Sequence, residues 1–73
     1  MKVQYAYVVE RARRNYAAYV PDLPGCVATA DTREEVVKLL REALEAHLAG
    51  MKEDGEDIPE PTSAVGHLDV QLV

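Results

Sequence analysis

Phenylalanine and tryptophan are absent from this 73-residue chain, and tyrosine, with four residues, is its only aromatic. The core must therefore be built from Val, Leu and Ala, which bury less area per residue. Cysteine occurs once, at Cys26, which excludes an intrachain disulfide and a multi-thiolate zinc site and fits a cytoplasmic protein. Basic residues are in deficit, 8 against 13 acidic for a net charge of −5. That balance argues against direct nucleic-acid binding, which needs clustered Lys and Arg. No stretch approaches the ~20 apolar residues of a membrane span, and Met1-Lys2-Val3-Gln4-Tyr5 does not open a signal-peptide core.

What remains is a globular balance, with 48% hydrophobic and 29% charged residues, in a single domain over 1–73. A domain this short buries only roughly 60 to 65% of its unfolded surface, so self-association is expected to supplement the core, as a homodimer or tetramer.

Alternation predicts a first strand over 2–10, with Val3, Tyr5, Tyr7 and Val9 on one face. A polar turn, Arg11 to Asn15, leads to a second strand from Tyr16 through Ala18 to Val20, antiparallel to the first. Pro21 ends it, and Leu23-Pro24-Gly25-Cys26 has Pro and Gly where a type II turn wants them. A third strand follows over 26–30.

Thr32 with Glu35 forms a capping-box pattern, and Asp31 and Glu34 add negative charge at the positive end of the helix dipole. The helix is expected over about 32–54. Its apolar stripe is Val36, Leu40, Ala43, His47 and Met51, widened by Val37, Leu39, Leu44 and Leu48. Its end falls either at Gly50 or at Gly55. An acidic connection with Pro59 and Pro61 follows, then a last strand over 67–73 with Leu68, Val70 and Leu72 facing in and His67, Asp69 and Gln71 facing out. The fold class expected is α+β, in the order β-β-β-α-β, with one long helix on a mainly antiparallel sheet and the last strand parallel to the first.

The run Tyr19-Val20-Pro21-Asp22-Leu23-Pro24-Gly25-Cys26, the helix start Thr32-Arg33-Glu34-Glu35, the pair Glu42-Ala43, and the exit Asp54-Gly55 with Ile58-Pro59-Glu60-Pro61 together resemble the HicB-like antitoxin family. These pieces cover residues 1 to about 62. Val36 departs from the pattern, standing where the family more often has Ala. The resemblance implies a degenerate, cut-down ribonuclease H-like fold and a non-enzymatic protein. It implies further that the protein neutralises a HicA-like, mRNA-cleaving toxin by direct contact. Such a toxin resembles a double-stranded-RNA-binding domain, and its catalytic His belongs to that partner. Many members carry a DNA-binding segment after this domain, and no C-terminal DNA-binding domain is expected within these residues.

A ribonuclease H-like fold raises the question of two-metal phosphodiester chemistry, which needs several carboxylates converging from strands and a helix. The strands offer only Glu10, the flanking Asp22 and Asp31, and the outward Asp69, so no catalytic residue and no metal or other cofactor is expected. Cys26 with His47 or His67 would need thiol and imidazole within hydrogen-bond reach. The simpler reading makes Cys26 a small strand residue, His47 a partly buried packing residue and His67 a surface position. Arg11, Arg13 and Arg14 read as a solvated hairpin tip.

Two segments are candidates for partner binding. The acidic run Glu53, Asp54, Glu56 and Asp57, continued by Glu60, is either a solvated connection or a surface complementary to a basic toxin. The loop Pro21, Asp22, Leu23, Pro24 either sets strand register or presents an exposed Leu23 between two prolines, at small entropic cost on binding. The alternative to the antitoxin reading is a solitary non-catalytic domain of the same fold that binds another protein or a small ligand.

Overall fold

A computed structural model describes residues 2–73. It contains β1 (Val8–Arg11), β2 (Tyr16–Tyr19), β3 (Val27–Ala30) and α1 (Arg33–Glu53). The three strands form an antiparallel meander in the order β1-β2-β3, as expected of alternating segments joined by short turns. At the first turn the Ala12 N–H donates to the Asn15 carbonyl at 2.8 Å, and Arg11 pairs with Tyr16. Val9, Ala18 and Ala28 lie side by side across the sheet, and the α+β layer is completed by α1 on that face.

The helix begins and ends at chemically legible points. Thr32 is its N-cap, and the Glu35 N–H donates to Thr32 Oγ1 at 3.1 Å. At the other end Glu56 N–H donates to the Met51 carbonyl and Gly55 N–H to that of Lys52, the paired bonds of a Schellman turn. Gly55 supplies the left-handed conformation this turn requires, at φ 73°. The helix therefore passes through Gly50 and stops at Gly55.

Among the described residues the core is six buried side chains, Ala18, Val20, Leu23, Cys26, Val36 and Leu40, with Val36 wholly enclosed. Tyr5, Val9, Tyr16, Val37, Leu44 and Leu48 pack around it half-buried. The apolar stripe of the helix is as its periodicity demands, save that Leu39 points outward and is exposed.

Two expectations are corrected. Residues 2–7 run ahead of the ladder without joining it, so the first strand is shorter than its alternation. The last strand over 67–73 does not form: among the described residues nothing pairs with the outer edge of β1, and residues 60–73 are exposed throughout. A strand needs a partner edge as well as a pattern. Here the connection after the helix is held at other points: the Tyr5 hydroxyl donates to the Pro59 carbonyl, and Thr62 and Ser63 bond to Asp22.

Candidate functional site

The loop between β2 and β3 is two consecutive turns. Leu23 N–H donates to the Val20 carbonyl at 3.1 Å, and Cys26 N–H to that of Leu23 at 3.0 Å. Pro24 and Gly25 occupy the central positions of the second turn, and Gly25 has φ 88°, as a type II turn demands of its third residue. This geometry folds Leu23 inward until it is 2% exposed. The expectation of an exposed Leu23 is thus corrected: it is a core residue, and the loop shows the solvent Pro21, Pro24 and Gly25.

Asp22, on the same loop, is occupied within the chain. One carboxylate oxygen accepts from the backbone N–H groups of Thr62 (3.1 Å) and Ser63 (3.2 Å), and the other from both their hydroxyls at 2.9 Å. The Ser63 backbone N–H and then its hydroxyl hold the Asp22 carboxyl below its ordinary 3.8 against the opposition of desolvation, with smaller help from the Thr62 hydroxyl and N–H. Donors aimed at a carboxylate favour its charged form. Asp22 is therefore a clasp that pins the exit of the acidic connection to the β2–β3 loop. Sequence reasoning missed the role of Thr62 and Ser63, since the bonds span some forty residues and no local pattern announces them.

The acidic candidates are placed as a free surface. Glu53 closes the helix, Asp54 caps it, and Glu56, Asp57 and Glu60 follow along the clasped segment, all exposed. The two candidate segments are thus joined through the Asp22 clasp, with the carboxylates facing solvent between the helix end and the loop.

The groups considered for catalysis lie elsewhere. Cys26 is in the core, and burial pushes its thiol up, which keeps it protonated and a poor nucleophile. His47 is half-buried on the helix and His67 is exposed. Among the described residues no group of three or more His, Cys, Asp and Glu is arranged to hold a metal ion, and no helix is long and apolar enough to cross a membrane.

One further concavity lies between residues 2–7, the helix flank of Val37, Leu44 and Leu48, and residues 63–65, with a volume of about 860 Å³. It opens where the sheet stops short: α1 sits mainly over β3 and β2 and barely reaches β1.

Comparison with known proteins gives these features a family. The chain is 38% identical over 55 residues to an uncharacterized 14.9 kDa protein from the rep-hol intergenic region of Haemophilus phage HP1, covering 75% of this chain and 41% of that protein. It is 36% identical over 47 residues to a UPF0150 protein of Helicobacter pylori, covering 64% of this chain and 65% of the relative. A UPF0150 protein of Archaeoglobus fulgidus is 37% identical over 59 residues, covering 77% of this chain and 86% of the relative. The chain thus spans less than two thirds of the phage and Helicobacter relatives. No solved structure matches it significantly. The sequence profile described as "HicB_like antitoxin of bacterial toxin-antitoxin system" matches residues 5–71. With its β-β-β-α frame and its turn, cap and exit motifs all inside that span, the chain belongs to the HicB-like antitoxin family.

Proposed function

We propose that this protein is a non-catalytic, cytoplasmic antitoxin that neutralises a HicA-like, mRNA-cleaving toxin by direct contact, and that it acts as a homo-oligomer. Family membership across residues 5–71 carries the reading. The surface offered for contact is the acidic band of Glu53, Asp54, Glu56 and Asp57, exposed together at the end of α1, beside the Pro21 and Pro24 rim of the clasped loop. A toxin that cleaves RNA must present a basic surface, and opposed potentials both steer the encounter and occupy the site the RNA would use. Leu23 has no direct part in this contact. Asp22 acts by holding the band in place.

Helix energetics support the band as functional. Negative charge at a helix C-terminus opposes the dipole and costs about 0.3–1 kcal/mol per residue. Glu53 and Asp54 occupy that end all the same.

The test is co-purification of the tagged protein with a small basic partner at about 0.15 M salt, where charges are screened beyond ~8 Å, and rescue of growth when that partner is expressed. Recovery of an RNA-cleaving protein, silenced on binding and released by the charge reversals Glu53→Lys and Glu56→Lys, is the expected result. Rescue that survives both reversals would remove the acidic band from the interface, and no binding to any HicA-like toxin would sink the reading.

A further inference from the structure

The flank of α1 that faces residues 2–7 is apolar and only half covered. Val37, Leu44 and Leu48 stand half-buried along it, over three helical turns or about 16 Å at 1.5 Å per residue. On the opposite wall Val3 and Tyr7 are 42% and 45% exposed. The cleft between these walls holds about 860 Å³. Small-molecule sites occupy roughly 300–1,000 Å³ and are mostly apolar, with a few placed polar groups.

The third wall, residues 63–65, belongs to a segment already tied down. Ser63 gives its N–H and its hydroxyl to Asp22, and the Tyr5 hydroxyl donates to the Pro59 carbonyl. The same bonds engage the polar groups of Ser63 and Tyr5, which leaves Ala64 and Val65 to line that side. A wall formed in advance need not be ordered when something binds.

Charge at the rim is the reverse of charge on the molecule. Acidic residues outnumber basic ones 13 to 8 in the chain, yet the cleft is lined by one acidic residue, Glu45, and two basic ones, Lys2 and Arg41. Lys2 stands on the N-terminal wall and Arg41 on the helix, both exposed. Arg41 precedes Glu45 by one helical turn, the weaker order for such a pair, so Glu45 competes poorly for the guanidinium. A guanidinium can hold a carboxylate by two parallel bonds. An apolar bed with cations at its rim suits an amphipathic anion. A cation of the same shape would meet like charge.

We propose that this cleft binds a small amphipathic carboxylate, of the class of a medium-chain fatty acid, with its head on Arg41 and Lys2 and its chain along Val37, Leu44 and Leu48. The site shares no residue with the acidic band or the Pro21 and Pro24 rim, so the proposal does not rest on the toxin-neutralising reading.

The experiment titrates 15N-labelled wild-type protein with decanoate below its micelle concentration. In parallel, bound anilinonaphthalene sulfonate, a fluorescent amphipathic anion, is displaced with decanoate or with decyltrimethylammonium. Expected are one saturable site, amide shifts grouped at Val3, Tyr7, Val37, Arg41 and Leu44, and displacement by the carboxylate but not by the cation of equal length. Arg41→Glu, an exposed substitution whose helical signal is checked, should lose about tenfold in affinity, the size of one charge-assisted bond. Absence of saturable binding would overturn the proposal, as would equal displacement by the cation or unchanged affinity in Arg41→Glu. A protein partner that protects Val37 and Leu44 from exchange while no amphiphile binds would hand the cleft to that partner and overturn it equally. The wild-type titration and the two displacing amphiphiles decide the matter even if Arg41→Glu does not fold.

Discussion

Leu23 and Asp22 are neighbours with opposite duties, one filling the core and the other clasping the chain from outside. Truncating Leu23 to Ala leaves a cavity among Val20, Cys26 and Val36, and substitutions of this kind cost about 2–5 kcal/mol. For a domain of this size, with total stability of roughly 4–11 kcal/mol, urea unfolding of Leu23→Ala should show the midpoint lowered by a large fraction. Leu23→Asp should unfold the protein outright, so loss of binding in that variant would report on folding alone. Asp22 makes a prediction in pH. Its folded pKa lies below the ordinary 3.8, so the clasp contributes fully above that value and is lost as pH falls below it through the lowered folded pKa. Amide exchange at Thr62 and Ser63 should therefore be slow and flat through neutral pH, once corrected for its intrinsic pH dependence, and lose its protection in that acid window. Asp22→Asn should show reduced protection at every pH.

Among the elements, α1 was the most legible, because both its ends are written in side-chain chemistry: a hydroxyl at Thr32 with an acceptor three residues on, and at Gly55 a residue able to take positive φ. The choice between Gly50 and Gly55 was open in sequence, since a helix interior tolerates glycine at modest cost. It is settled by the Schellman bonds to Met51 and Lys52. The meander was legible in the same way, from alternation and the Pro-Gly turn. The alternation at 67–73 was equally plain and led to a strand that the structure does not form, because alternation states what a segment is suited to and says nothing of whose edge it joins. The candidate site was half legible: the acidic band lies exposed as its composition suggested, but the burial of Leu23 depends on the helix residues Val36 and Leu40 closing over the loop, and the clasp of Asp22 on residues forty positions apart meeting in space. The helix end carries its own prediction. Removing the charge opposed to the dipole with Glu53→Lys should raise Tm by a few degrees, the size of shift that a few tenths to one kcal/mol gives a domain this small, while weakening toxin binding. Thermal unfolding of the free protein checks the first half.

At the scale of the molecule, six buried side chains among the described residues are a thin core for a chain of 73. The radius of gyration is 14.4 Å, against about 11 Å for a compact chain of this length. In the proposed homo-oligomer, stability gains a concentration-dependent part by mass action. Tm should then rise with protein concentration, which scanning calorimetry over a hundredfold dilution would register.

The sequential order of the sheet has a consequence in time. Each strand pairs with the one before it and the helix follows at once, so most contacts of the body join residues close in the chain, and chains of that kind cross their folding barrier quickly. A refolding trace should open with a rapid phase at the same rate in dilute and concentrated solution, as hairpin, turn and helix condense on Val36 and Leu40. The residues that project past Gly66 have no share in that step.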